Sequence, residues 1–512
     1  MARYNTPVTE LRDLVGERLM IGLPGPTLRD EDVALFRETR AGGLILYRRN
    51  FESPDQLRRL LSSLEAALDR RLLVSTDHEG GRIVMLGEGV TIFPDNLAVG
   101  TAGDESFAFK QGLIEARELG RLGVDLSLGP CLDVLTERYS PNIGIRSYGK
   151  DATLVARYGS ARIRGMARGG LAACAKHFPG KGHSPLDAHL RLPTIDSSWE
   201  EMHATHLVPF HEAMGADVAC IMTSHPRYPN LDPSGVLATF SRIIVADYLR
   251  GELKFGGVIV SDDLEMGAVS EACPIGEATV RAAEVGHDLL LVCHTEAAQR
   301  AAAGALLAAS ESGRLPRREV EAAADRVRRL RLSRASRFDD GPLVPEPDGL
   351  PLARAMATRA VTQVAPGPPD FRRALNDRVA VIFPRFSDLA PRITIEREIC
   401  DERPYLARIF GAGGVAPRIS IVGIEPTEEE IAAAAAAAGE AEATVLFVYD
   451  AHLYPTNRAL LDAVQSRSRR LAAVLLRDPY DAAFLTPGVL GLTAYGWRAC
   501  QIEAVVARLL HP

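Results

Sequence analysis

The stretch Leu171-Ala172-Ala173-Cys174-Ala175-Lys176-His177-Phe178-Pro179-Gly180-Lys181-Gly182-His183-Ser184-Pro185-Leu186-Asp187-Ala188-His189 runs an apolar segment straight into a polar one rich in glycine and proline. Leu171 to Ala175 reads as a buried strand, and the glycines and prolines that follow forbid a simple continuation as strand or helix. A strand therefore delivers three histidines, an aspartate and two lysines to its C-terminal end. In parallel α/β architectures reactive groups gather at that end, because helices cover the flanks and leave the loop rim open.

Working outward, residues 10 to 335 alternate short β-rich apolar runs with longer amphipathic segments, the mark of repeated β-α units. The predicted strands are Gly43 to Tyr47, Leu72 to Thr76, Val124 to Leu128, Leu171 to Ala175, Val218 to Met222, Val258 to Val260 and Leu289 to Val292. Seven strands with a weak or missing eighth predict a (β/α)8 TIM-type barrel over an open doubly wound sheet. Polar residues recur directly after these strands: Tyr47-Arg48-Arg49-Asn50, Asp77-His78-Glu79-Gly80-Gly81-Arg82, Lys176-His177, Thr223-Ser224-His225, Ser261-Asp262-Asp263 and His294. A barrel would bring them to one rim. A helix cap is the plainer reading of any single one, and Asp262 with Glu265 resembles a capping box.

Phe338 to Asp370 is rich in proline and acidic residues and reads as a linker holding a helix from Leu352 to Val364. Beyond it, Val379 to Phe383, Ile419 to Val422, Val445 to Tyr449, Ala473 to Leu476 and Leu490 to Thr493 alternate with helical stretches, including the alanine run Ala432 to Ala438, and predict a smaller αβα sandwich. The expected organisation is a barrel over 1–337, a linker over 338–370 and a sandwich domain over 371–512. In that last domain the polar strand end Tyr449-Asp450-Ala451-His452 reads as a solvated loop.

The net charge of −7 and the lack of any basic block argue against nucleic acid as a partner. No apolar run is long enough to span a bilayer and the N-terminus lacks a signal-peptide pattern, so a cytoplasmic protein without membrane partners is expected. The seven cysteines are scattered through apolar runs and read as reduced core residues. No phosphate loop, nucleophile elbow or dinucleotide fingerprint occurs, which removes most kinase, α/β-hydrolase and dehydrogenase readings and leaves no cofactor expected. His177, His183, Asp187 and His189 are possible metal ligands, but their spacing fits no common zinc pattern, so no metal is expected. Nothing in the sequence sets an oligomeric state.

Two chemistries remain on the rim. Asp187 and His189 are two apart, so a turn can place the carboxylate on one imidazole nitrogen and leave the other free as a general acid/base. Asp262 offers a carboxylate, a poor nucleophile toward carbonyls but a good one toward an anomeric carbon. Asp77, Arg146, Lys176 and His177 would supply donors and acceptors for vicinal hydroxyls.

The segments Asp77-His78-Glu79-Gly80-Gly81-Arg82, Ile143-Gly144-Ile145-Arg146-Ser147-Tyr148, Lys176-His177-Phe178-Pro179-Gly180, Asp187-Ala188-His189 and Ser261-Asp262-Asp263-Leu264-Glu265-Met266 together resemble glycoside hydrolase family 3, in particular its NagZ-type bacterial β-N-acetylglucosaminidases. The resemblance spans the first domain, and the second resembles the αβα sandwich appended in two-domain members. It implies a retaining double displacement on terminal β-linked N-acetylglucosamine, with a GlcNAc-containing glycan or cell-wall fragment as the partner. By the same resemblance Asp262 is the nucleophile, His189 the acid/base and Asp187 its orienting carboxylate, while Asp77, Arg146, Lys176 and His177 hold the sugar. A neutral imidazole avoids setting a second anion beside the nucleophile. Lys181 stands where the family usually has histidine, Ala188 where it has serine, and Met85 where an arginine contacts sugar, which leaves the sugar and aglycone open. A β-N-acetylglucosaminide phosphorylase, another family 3 β-glycosidase and a non-catalytic sugar-binding protein are the alternatives.

Overall fold

The computed structural model describes residues 10–137, 140–184, 193–333, 343–376 and 378–511. They fall into two compact units: one within 10–79, 88–91 and 108–346, the other within 80–87, 92–107 and 347–511.

The first unit is a parallel eight-stranded barrel of β1 (Leu19–Gly22), β2 (Gly43–Leu46), β3 (Leu73–Thr76), β4 (Leu126–Ser127), β5 (Ala172–Phe178), β6 (Cys220–Thr223), β7 (Val258–Val260) and β8 (Leu290–Val292). Strands pair in chain order from β1 to β7, β8 pairs with β1, and a bridge between Val260 and Leu289 closes the ring. The eighth strand, invisible in the sequence pattern, is β1. A single residue, Arg18, separates it from the helix Leu11–Glu17, and the one glycine nearby, Gly16, lies within the last turn of that helix rather than after it, so no loop signal marks the junction. Met20, Ile45, Leu73, Leu126, Cys174, Cys220, Val258 and Leu291 lie in one buried cluster, at alternate positions where a strand offers two. The strand expected to stop at Ala175 continues to Phe178, because Lys176 N–H donates to the Pro130 carbonyl and its own carbonyl accepts from Leu132 N–H.

The second unit holds a six-stranded sheet of β9 (Thr362–Ala365), β10 (Val379–Pro384), β11 (Arg418–Val422), β12 (Ala443–Val448), β13 (Leu471–Leu475) and β14 (Leu490–Thr493), ordered β9-β14-β13-β12-β10-β11. All pairs are parallel except the edge strand β9, which runs antiparallel to β14. β9 sits in the stretch read as the end of a linker helix: the helix spans Gly349–Ala360, and the β-branched and extended residues after it join the sheet. The alanine run forms the helix Glu428–Glu440, opened by a capping box between Thr427 and Glu430. Its small side chains Ala434 and Ala438 share a buried cluster with Leu460, Leu461 and Val464 of the helix Pro455–Arg467. Tyr449 and Asp450 are buried rather than solvated, Asp450 paired with Arg477, and His452 Nδ1 lies 2.8 Å from Asp481. The seven cysteines carry thiols rather than disulfides, and five are buried. Among the described residues no helix is long and apolar enough to cross a membrane.

Candidate active site

Strand parity places the charges. Leu73 and Ser75 face the barrel interior, so two residues on Asp77 opens onto the rim. Ala172 and Cys174 lead in the same way to Lys176, and Val258 and Val260 to Asp262. Lys176 Nζ lies 2.5 Å from Asp77 Oδ1 and 2.7 Å from Glu79 Oε1. Arg146, on the 3-10 turn Gly144–Arg146, clasps Glu79 with both arms, Nε to Oε2 at 2.8 Å and Nη2 to Oε1 at 2.7 Å. Burial alone would raise the Glu79 carboxyl, but Arg146 and Lys176 outweigh it and hold the group well below the usual carboxylate range. Burial likewise opposes the Lys176 ammonium, and Asp77 and Glu79 more than restore it. Glu79 and Lys176 are buried, whereas the Asp77 side chain is 21% exposed and is the member able to meet a ligand.

His177 Nδ1 lies 2.7 Å from Asp133 Oδ2 and its Nε2 is 3.4 Å from Arg146 Nη2. A guanidinium only donates, so Nε2 accepts and Nδ1 carries the proton given to Asp133. Burial, reinforced by Lys181, Arg146 and Lys176, pushes this imidazole well below its ordinary range and keeps it neutral. Asp133 Oδ1 accepts from the Lys181 backbone N–H at 2.6 Å, so one carboxylate fixes both the histidine ring and the loop after β5.

Asp262 accepts from the Asp263 N–H at Oδ1 (2.9 Å), and Lys181 Nζ stands 3.9 Å from Oδ2. Burial raises the Asp262 carboxyl, yet Lys181 and then His225 outweigh burial and hold it below its ordinary value. The side chain remains 17% exposed. His225 bridges Thr239 Oγ1 (2.7 Å) and the Asp263 carbonyl (3.0 Å), anchoring the backbone that carries Asp262. The expected capping box is absent here, since Glu265 reaches instead to Thr295 Oγ1 at 2.7 Å and to the His294 N–H, at the head of the helix Glu296–Glu311. The strand ends of β2 and β8 interlock through Arg49 Nη1 and His294 Nδ1 at 3.1 Å, and His294 Nε2 lies 3.1 Å from Asp263.

Asp77, Lys176, Arg146 and His177 thus share one network, and Asp262 joins it through Lys181. Asp187 and His189 lie outside the described residues. Three groups escaped the sequence reading. Glu79 sits inside a quoted segment but looked like a loop charge, Asp133 comes five residues after the predicted strand end at Leu128, and Lys181 registered only as a departure from a motif. Cys131, Asp133 and His177 place possible ligand atoms within 4.8 Å of one another. These atoms are already engaged, however, Cys131 Sγ donating to Asp133 at 3.1 Å, and burial pushes that thiol far up so that it keeps its proton.

Residues 10–330 match the model of the glycosyl hydrolase family 3 N-terminal domain. The chain belongs to glycosyl hydrolase family 3. It is 33% identical to a family 3 β-N-acetylglucosaminidase from Paenibacillus sp. str. FPU-7, with a TM-score of 0.91 over 98% of this chain and 97% of that one. It is 37% identical over 286 residues to the β-hexosaminidase of Alkalilimnicola ehrlichii, covering 54% of this chain and 81% of that protein. NagZ from Neisseria gonorrhoeae, solved in complex with N-trifluoroacetyl-D-glucosamine, is 31% identical with a TM-score of 0.51, over 61% of this chain and 98% of that one. The chain is accordingly a glycoside hydrolase.

Proposed function

We propose that this protein is a retaining exo-β-N-acetylglucosaminidase that releases terminal β-linked N-acetylglucosamine through a glycosyl-aspartate. The observation that carries the reading is Asp262: a partly exposed carboxylate at a strand end, kept anionic by Lys181 and oriented by the Asp263 N–H, beside a pre-assembled set of sugar-binding charges. Relatives named β-hexosaminidase and β-N-acetylglucosaminidase support the sugar.

In the first step an Asp262 oxygen attacks the anomeric carbon while the bond to the leaving oxygen breaks, and His189, oriented by Asp187, gives that oxygen its proton. In the second, His189 takes a proton from water, whose oxygen displaces Asp262 and restores the β configuration. Asp77, Arg146, Lys176 and His177 hold the sugar, Asp77 accepting from its hydroxyls, while Lys176 and Arg146 also keep the neighbouring carboxylates in place. Preorganisation of this kind costs no reorganisation when charge develops at the anomeric centre. Cell-wall fragments in the cytoplasm are the substrate setting this reading implies.

The test is release of 4-nitrophenol from the N-acetyl-β-glucosaminide beside the β-glucoside, with and without phosphate. Turnover of the acetamido sugar alone, indifferent to phosphate, is expected. Phosphate-dependent turnover would make the enzyme a phosphorylase, and preference for the glucoside would replace the assigned sugar.

A further inference from the structure

The opposite end of the barrel carries a cleft of about 470 Å³ in the range of small-molecule sites. It lies at the strand N-termini, since Arg18 directly precedes β1 and Asp288 lies just before β8. Five arginines line it: Arg18, Arg242, Arg250, Arg318 and Arg326. The chain as a whole is acidic, so this concentration of guanidinium groups runs against the molecule's charge.

The three carboxylates in the lining have other commitments. Asp288 is shared between Arg250 Nη2 at 2.5 Å and Arg326 Nε at 2.8 Å, and its Oδ2 also accepts from the Ile259 N–H. Glu284 turns to Arg314, which is outside the lining, at 2.7 Å. Glu319 makes a long pair with its neighbour Arg318, at 3.8 Å, and acts on Arg18 only through its charge. Arg18 is buried and has no ion pair among the described residues. Its Nη2 donates to the His287 carbonyl at 2.8 Å, but its Nε has no hydrogen-bond partner. Burial, joined by the nearby Arg326 charge, pulls this guanidinium down to about 10, with Asp288 and Glu319 opposing. A desolvated cation with an idle donor is costly, and an anion beside it would supply both the charge and the acceptor. Arg242 and Arg318, whose side chains are 74% and 87% exposed, are held only by long surface pairs with Asp247 (3.4 Å) and Glu319 (3.8 Å), which an anion in the cleft can outcompete.

We infer that this cleft binds a dianionic phosphate group, with Arg18 at its floor and Arg242 and Arg318 at its mouth, as a site separate from the catalytic rim. Phosphate suits it because guanidinium forks match tetrahedral oxyanions in geometry and the lining carries an excess of two positive charges. The volume exceeds a bare phosphate, which favours a phosphate monoester of sugar size over the free ion.

The test is calorimetric titration of the full chain in phosphate-free, low-salt buffer with inorganic phosphate, glucose 6-phosphate and, as the neutral control, glucose. Saturable binding of glucose 6-phosphate and none of glucose is expected; equal affinity for inorganic phosphate would identify the free ion as the ligand of the same site. Arg18→Gln should weaken binding by about tenfold or more, as for loss of a charged hydrogen bond. The double variant Arg242→Ala/Arg318→Ala, whose exposed positions spare folding, should weaken it and steepen nothing in the hydrolysis of 4-nitrophenyl substrates. No saturable binding by wild type, or full affinity in the double variant, overturns the proposal. So does binding that is lost in Asp262→Ala, which would place the phosphate at the reaction site.

Discussion

Replacing Lys181 by methionine isolates the charge that holds Asp262 ready. The side chain keeps its length, and the Lys181 backbone N–H to Asp133 survives. Two unit charges 3.9 Å apart interact by about 4 kcal/mol at an effective dielectric of about 20. Water and relaxation at the partly exposed carboxylate absorb part of this. The sign is fixed: Lys181 leads the charges that lower the Asp262 carboxyl against burial, so its loss raises that group and shifts the acid limb of kcat/KM to higher pH. At about pH 5 the variant should lose about tenfold or more relative to wild type, the equivalent of about 1.4 kcal/mol, and the deficit should shrink on the alkaline side. Lys181→Arg should restore most of the profile. The assay is the pH dependence of kcat/KM for 4-nitrophenyl N-acetyl-β-glucosaminide, with circular dichroism confirming the fold. Acid limbs of Lys181→Met and wild type that superimpose would refute the reasoning.

Glu79→Gln removes the buried anion shared by Arg146 and Lys176, leaving Lys176 only Asp77, and should cost about 3–5 kcal/mol in urea denaturation at neutral pH. Because the folded Glu79 carboxyl is depressed, its contribution is fully present above the unfolded value and is lost as pH falls from there through the folded value, so the gap between wild type and variant should begin to narrow below about pH 4 and close only in strong acid. Glu115→Ala breaks the wholly buried pair with Arg162, whose Nη1 also donates to the Glu79 carbonyl at 2.7 Å. It should destabilise by a similar 3–5 kcal/mol or so, and raise KM by loosening the Glu79 backbone, both measurable on one preparation. Gly182→Ala would set a Cβ 1.9 Å from the Val134 carbonyl oxygen, a clash with backbone that only movement of the loop after β5 relieves. A sharp drop in kcat with a lower melting temperature is expected, and an unaffected enzyme would show that this loop packs otherwise.

The barrel was legible because β2 to β8 each appear as a short apolar run, a pattern that buried parallel strands impose, followed closely in all but β4 by polar residues. β1 escaped because its apolar residues continue the helical spacing of Leu14 and Val15 without punctuation. β9 escaped because four partly exposed residues after a helix carry no alternation strong enough to announce an edge strand. The grouping of 80–87 and 92–107 with the second unit depends on contacts distant in sequence, which local patterns do not encode. In the site, Asp77, Lys176 and Asp262 stood out as charges at strand ends. Glu79, Asp133 and Lys181 did not, because each works by what it touches: a pair of cations, a histidine ring and a carboxylate 3.9 Å away. Tyr449 and Asp450 show the reverse error, polar residues after a strand that fold inward onto partners of their own.

The central claim is a covalent glycosyl-enzyme on Asp262, and the direct measurement is mass spectrometry of the intact protein quenched during turnover of a slow 5-fluoro analogue of N-acetylglucosaminyl fluoride. The account predicts a single added sugar, mapped by tandem fragmentation to Asp262 and absent in Asp262→Ala. A sugar attached to another residue, or turnover that proceeds with no adduct at any quench time, would contradict it.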